Sequence, residues 1–232
     1  MAMIMIGLGS TLLKEPPTHA ANGKTAITYG TRDFTLGEML GIKEAYLLFV
    51  IFFTACMSGL YLIGVVKDIG VEMAGMDKQM AANAIFNTVG RIVLGAMSDK
   101  VDRLRVVSGT LLVTALAVTV MAFLLLSPVL FFICVSAIAF CFGGNITVFP
   151  VIVGDFFGLK HHSKNYGVIY QGFGIGALSG SFIAARLGGF HATFIAIAVL
   201  SALSLLIALW IKPPKHVRTQ PEMPATVAHV RG

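Results

Sequence analysis

The sequence predicts an all-α membrane protein built as a six-helix transmembrane bundle, and three observations predict it. Apolar residues make up 56% of the chain and charged residues 12%; a soluble domain of that composition would expose large apolar patches. The apolar residues gather into roughly six stretches, near 44–66, 79–98, 106–126, 129–152, 165–187 and 190–211, each close to the ~20 residues a helix needs to cross lipid. The basic residues alternate between the joining segments. Lys14, Lys24, Arg32 and Lys43 precede the first stretch, Lys100, Arg103 and Arg105 follow the second, and Lys160 and Lys164 follow the fourth. Lys212, Lys215, Arg218 and Arg231 follow the sixth, whereas Lys67, Lys78 and Arg186 fall on the other side. An even number of spans places the rich segments on one face of the membrane, which the positive-inside rule makes the cytoplasm. The net charge of +6 therefore reflects topology and points to no nucleic-acid partner. Helices satisfy their own backbone inside lipid, and the short alternating strands of a transmembrane barrel are absent. The predicted location is the inner (plasma) membrane, multi-pass, with the carboxy-terminus cytoplasmic. Cys56, Cys134 and Cys141 fall within spans, which predicts free thiols and no disulfide framework.

Residues 1–13 are apolar but short, and no basic region precedes them as in a signal peptide. They read as the end of a truncated preceding span, closed by Pro16 and Pro17. Residues 14–43 read as a cytoplasmic linker. Within it, Asn22-Gly23-Lys24-Thr25 resembles the end of a phosphate-binding loop, but Thr18 stands where the first glycine belongs and no strand precedes it. No nucleotide site or other cofactor is assigned. Asp33 to Leu40 carries apolar residues at Phe34, Leu36, Met39 and Leu40, the pattern of an amphipathic helix at the membrane surface or of an ordinary linker helix.

The first span, in the bundle proper at 44–211, sets Thr54, Ser58 and Tyr61 on one helical face. Thr54 reads as packing; Ser58 and Tyr61 suit either packing or a cavity. Lys67 and Asp68 belong at the far interface. The second span carries the central feature. Asn83, Asn87 and Arg91 recur at intervals of four, so they share one face, with Ile85, Val89, Ile92 and Val93 opposite. An arginine at mid-helix in lipid costs about 2.5–3.5 kcal/mol on insertion scales, so this face belongs to a bundle interior or an aqueous path.

The loop that follows runs from Gly95 through Asp99, Lys100, Asp102 and Arg103 to Arg105. It must be a tight hairpin. Asp99 and the basic cluster can pair with each other or with charges of neighbouring loops, forming a latch that breaks as the bundle opens; a solvated loop obeying the positive-inside rule is the plainer reading. The third span is featureless, and Ser127-Pro128 turns the chain into the fourth. There Gly143-Gly144-Asn145 permits close approach, Pro150 should bend or break the helix, and Asn145 suits a cavity or an interhelical hydrogen bond. Asp155, His161 and His162 read as part of the next loop, without the clustered ligands of a metal site. In the fifth span Gly172, Gly176 and Gly180 form a small-residue stripe for helix packing. Tyr166, Tyr170 and Gln171 can bind carboxylate oxygens without adding charge, while Tyr166 also fits an interfacial aromatic belt. The sixth span ends at Trp210, and residues 212–232 read as a disordered cytoplasmic tail.

These motifs carry a resemblance. Gly95-Ala-Met-Ser-Asp99-Lys100-Val-Asp102-Arg103-Leu-Arg105 is similar to the signature loop of the major facilitator superfamily, with Asp102 where that pattern has glycine. The segments DFTLGEML before the first span, GLYLIG within it and FFGLKHHSKNYGVIYQGFG around the fifth together resemble the oxalate:formate antiporter family. The family has twelve spans in two halves, and the resemblance is to the second half, over most of residues 13–211. It implies that Arg91 is the counterpart of an arginine which, with a lysine of the eleventh span, holds the two carboxylates of oxalate. That lysine has no counterpart here, since the aligned stretch reads Tyr170-Gln171-Gly172-Phe173-Gly174. One cation neutralises a dicarboxylate poorly, so the resemblance implies a monocarboxylate such as formate or pyruvate, carried by antiport or proton-coupled symport through alternating access. The competing readings are a non-transporting half-carrier that needs an amino-terminal six-span half or a second copy, a drug exporter of the same superfamily with a more apolar cavity, and a membrane-embedded enzyme, which lacks clustered His, Asp or Glu within the spans.

Overall fold

The computed structural model describes residues 33–70, 76–123, 127–187 and 190–214, and among these every regular element is a helix. They are α1 (Leu36–Leu40), α2 (Lys43–Gly70), α3 (Met76–Ser98), α4 (Arg103–Phe123), α5 (Pro128–Phe157), α6 (His162–Leu187) and α7 (Phe190–Trp210). The expected six-helix bundle is α2 to α7. Five of these are long and apolar enough to cross a membrane, within Lys43–Gly64, Arg103–Phe123, Val129–Phe157, His162–Arg186 and His191–Trp210. The remaining one is α3, whose 23 residues suffice in length, at 1.5 Å per residue, but which carries Asn83, Asn87 and Arg91. The truncated span at 1–13, the linker to Arg32 with Lys14 and Lys24, and the tail with Lys215, Arg218 and Arg231 lie outside the described residues. So do the side chains of Lys67, Asp68 and Lys78.

Local chemistry sets the helix ends. Thr35 and Glu38 form a reciprocal capping box at the start of α1. The Asp102 carboxylate accepts from the amides of Leu104 at 2.9 Å and Arg105 at 3.2 Å, capping α4. Ser127 caps α5 with Pro128 in its first turn, and Gly158 ends it at φ 82°. Pro150 does not break α5, which continues as helix to Phe157; the backbone groups a proline frees are tolerated where neighbouring helices enclose them. Asp155 consequently stands in the last turn of α5 and His162 opens α6, and neither belongs to the loop expected between them.

The helices pack chiefly as α3 on α5, α2 on α6 and α4 on α7, with α5 also lying against α4. The first two seams are made by small residues. A Cβ at Gly90 would lie 2.0 Å from the Phe140 carbonyl oxygen, and one at Gly143 2.1 Å from that of Asn87. On α6, Gly172, Gly176 and Gly180 meet Phe49, Phe53, Met57 and Tyr61 of α2, as the stripe predicts. In both pairs residue numbers rise together along the seam, so the partners run parallel. One core gathers Phe52, Phe149, Phe157 and Ile152; a second gathers Met57, Tyr61, Met121, Phe131 and Phe194. Thr110 donates to Asn145 at 2.8 Å and Ser204 to Thr54 at 2.9 Å, tying α4 to α5 and α7 to α2. Ser58 bonds back to Ala55 of its own helix.

The segment before α2 is part of the bundle. Phe34 donates its amide to Phe157 at 2.9 Å, Asn165 donates its side-chain amide to the Phe34 carbonyl at 2.9 Å, and Asp33 accepts from the Lys160 amide at 3.1 Å. Phe34 and Met39 are buried. Phe34 and Met39 thus meet protein, while Leu40 is exposed.

Gly90→Ala should destabilise the protein by about 1–3 kcal/mol, the range for overpacking a tight contact, and lower its melting temperature in detergent. Gly174→Ala meets nothing within 4 Å and should be neutral or stabilising by up to about 1 kcal/mol through helix propensity. Thermal unfolding of the two variants side by side checks the contrast in sign.

Candidate functional site

Arg91 stands at the edge of the α3–α5 seam. Its backbone is held there because Gly90 and Leu94, on the adjoining face, pack into α5. Its Nε donates to the Asn87 side-chain oxygen at 3.2 Å, and Asn87 in turn donates its amide nitrogen to the Ala139 carbonyl of α5 at 3.2 Å. Asn87 thus links the guanidinium to a rigid neighbouring helix. Among the described residues Arg91 has no carboxylate partner, and its terminal amino groups have no protein acceptor. The side chain is exposed and faces a groove of about 510 Å³ lined by Ile63, Asn83, Ala84, Asn87, Thr88, Arg91 and Phe142. Asn83 is 7% exposed, and among the described residues its side-chain oxygen meets no hydrogen-bond partner. A guanidinium without a carboxylate partner among the described residues, two side-chain amides and an apolar wall of Ile63 and Phe142 line this groove. The planar fork of arginine matches a carboxylate.

The other expected ligand residues are placed differently. Asn145 is buried and bonded to Thr110, so it joins helices rather than facing the groove. Tyr61 is buried in the second core, its ring edge-on to Phe194 and against Gly180, again away from the groove. Gln171 is exposed and bonds at 3.4 Å to the Gly167 carbonyl of its own helix. Tyr170 is half-exposed and connects to the site indirectly. Its ring stacks on Phe173 with centroids 5.3 Å apart, and Phe173 stacks on Phe142, a wall of the Arg91 groove, at 6.4 Å. Tyr166 extends this row to His162, stacked at 5.8 Å. Sequence reasoning did not single out Phe142 or Phe173; they are two among 17 phenylalanines, and nothing in their spacing marks them.

At the end of the bundle where α3 turns into α4, Arg103 forms an ion pair and hydrogen bond with Asp155 of α5. Both side chains are about a quarter exposed. Asp99, Lys100 and Asp102 line the small pocket beside this pair, together with Pro213 after α7. Gly95, one turn before the loop, faces Thr147 of α5, where a Cβ would sit 3.2 Å from the threonine methyl. Arg105 is exposed, and its amide is taken by the Asp102 cap. Of the loop residues expected to pair, Arg103 meets Asp155 at a helix end, and Asp102 serves the turn as a helix cap in the position where the signature has glycine.

Comparison with known proteins agrees with this architecture. Residues 2–230 match the family model of the Major Facilitator Superfamily. A protein of Escherichia coli (strain K12) described as the uncharacterized MFS-type transporter YhjX is 45% identical over 183 residues, covering 77% of this chain and 45% of its own length. The oxalate:formate antiporter of Oxalobacter formigenes is 25% identical, covering 94% of this chain and 55% of its own. The class C tetracycline resistance protein of Escherichia coli is 28% identical over 62% of this chain and 37% of its own. The chain spans about half the length of the first two relatives.

The Arg103–Asp155 pair can be measured by a charge swap. Arg103→Asp and Asp155→Arg should each lower thermal stability, and the double variant should recover most of the loss. The coupling should be about 1–2 kcal/mol, between an exposed pair and a buried charge-assisted bond. A double-mutant cycle by thermal unfolding supplies the value.

Proposed function

Because this chain belongs to the major facilitator superfamily, a family of transporters, we propose that it forms the substrate-binding carboxy-terminal half of a secondary carrier for small organic anions. The observation that carries this reading is Arg91: a cation without a carboxylate partner among the described residues, oriented by Asn87, beside a groove. A carboxylate entering the groove would take the free amino groups of the guanidinium in a bidentate pair. Asn83 and Asn87 would supply further polar contacts, and Phe142 the apolar wall. The resemblance to the oxalate:formate antiporter supports a carboxylate class. The Tyr170-Gln171 stretch offers no second cation, and this favours a monocarboxylate such as formate or pyruvate. The tetracycline-resistance relative keeps a drug-export reading within the family, but an unpaired arginine beside the groove suits an anion better.

A second reading concerns completeness. Arg91 and the neighbouring Ile85, Phe86, Ile92 and Val93 are all exposed on α3, and a guanidinium facing lipid costs about 2.5–3.5 kcal/mol. This favours a chain that works against an amino-terminal six-span half or a second copy, with transport arising from rocking of the two halves around the groove. The Arg103–Asp155 latch would close one end in one of the two states. The basic end would face the cytoplasm of the inner membrane by the positive-inside rule.

Liposomes holding this chain, alone and with a matching amino-terminal half, test the proposal with labelled formate, pyruvate and oxalate. Uptake should require the second half, and Arg91→Gln should reduce it at least about tenfold, the loss expected of a charged hydrogen-bond partner, while Arg91→Lys retains part. Unchanged uptake in Arg91→Gln would remove Arg91 from the site. Oxalate outcompeting every monocarboxylate would overturn the substrate assignment.

A further inference from the structure

We propose that the groove between the start of α2 and the end of α7 is a binding site for an anionic glycerophospholipid. This groove, of about 900 Å³, shares no residue with the Arg91 site and is lined by Lys43, Glu44, Leu47, Ile207, Trp210 and Lys212 among others. Its chemistry is divided along its length. Lys43, Glu44 and Lys212 form a charged rim with net positive charge, and Leu47 and Ile207 form an apolar floor with the exposed ring of Trp210 at its edge. A phospholipid is divided in the same way, with a phosphodiester anion for the lysines and acyl chains for the floor.

The placement of the groove matches the membrane boundary. Trp210 is the last residue of α7 and is 84% exposed. Lys212 and the Pro213-Pro214 pair follow it. An exposed tryptophan next to lysine at the end of an apolar helix is the pattern of an interfacial anchor. Val199, Leu203 and Leu206 are exposed on the same face of α7 by their spacing from Trp210, so an apolar stripe leads from mid-helix into the groove. Basic pockets between membrane helices at the cytoplasmic level attract anionic headgroups, each lysine near the surface adding roughly fivefold to the association. The charged segments before residue 33 and after residue 214 do not match the groove in charge. Residues 14–32 carry Lys14, Lys24 and Arg32 against Glu15, and residues 215–232 carry Lys215, Arg218 and Arg231 against Glu222. Both are net basic, as is the rim, which favours a lipid phosphate over either segment as the occupant.

Trp210 is the single tryptophan of the sequence, so it reports on this groove alone. The 232-residue chain is placed in phosphatidylcholine liposomes containing a small fraction of acyl-chain-brominated lipid, and Trp210 fluorescence is recorded. Brominated phosphatidylglycerol should quench more strongly than brominated phosphatidylcholine at equal fraction. Lys43→Gln with Lys212→Gln should abolish that preference, each lysine contributing about fivefold in apparent affinity, while quenching by phosphatidylcholine stays as in the unaltered chain. Glu44→Gln should strengthen the preference. Equal quenching by the two lipids, a preference that survives loss of both lysines, or selective quenching by brominated phosphatidylethanolamine in place of phosphatidylglycerol would each overturn the assignment.

Discussion

The contact on which the rest of the structure depends is the backbone approach of α3 to α5. Gly90 lies against the Phe140 carbonyl and Gly143 against that of Asn87, at separations where a Cβ has no room. Without a hydrophobic force between helices in lipid, such close van der Waals packing is a main source of association. It also settles what α3 can carry. A helix with Asn83, Asn87 and Arg91 gains less from lipid than its neighbours do, and its extensive contact with α5 offsets that deficit. The seam fixes the rotation of α3, and the rotation places Arg91 at the edge, where Asn87 can reach α5 and orient the guanidinium. The groove is therefore a consequence of helix packing, with glycine as the enabling residue.

The opposite requirement governs the end at which α3 turns into α4. There the chain is joined by polar bonds, which can be broken and remade. Arg103 pairs with Asp155, Asp102 caps α4, Asn165 holds the Phe34 carbonyl and Lys160 donates its amide to Asp33. Apolar seams hold the helix pairs along their length, shared apolar cores join the pairs, and charged or amide contacts at one end add to that joining.

Much of this was legible in the sequence, and the residues explain why. The apolar runs and the alternation of Lys and Arg express the dominant cost of membrane burial, so the bundle and its two unlike ends could be read directly. The Asn83, Asn87 and Arg91 face needed only helical periodicity, and the Gly172, Gly176 and Gly180 stripe only spacing. What escaped were contacts between elements. Asn145 and Tyr61 carry the right chemistry for a binding site, but Thr110 of α4 and Phe194 of α7 surround them, and no local pattern specifies those neighbours. Asp155 looked like a loop residue because charge follows an apolar run, yet α5 extends past Pro150 to include it. Phe142 reaches the groove only because Gly143 brings its helix against α3.

The candidate groove is lined by α3, with Phe142 of α5 and Ile63 of α2. The guanidinium is held from one side: α5 anchors Asn87, Asn87 orients Arg91, and the terminal amino groups face outward across an open groove. A substrate bound there would be gripped by one helical pair and left uncovered on its other side. Alternating access needs an arrangement of this kind, because a site enclosed by one rigid body would have no second face to exchange between the two aqueous phases. On the proposed reading, this geometry would let a single cation suffice. An anion in the groove would compensate Arg91 while its remaining surface met whatever closed over it, so charge balance would be local to α3 and selectivity shared with the opposing surface. The substrate range of the assembled carrier would then depend on residues facing Arg91 across the groove as much as on Arg91 itself.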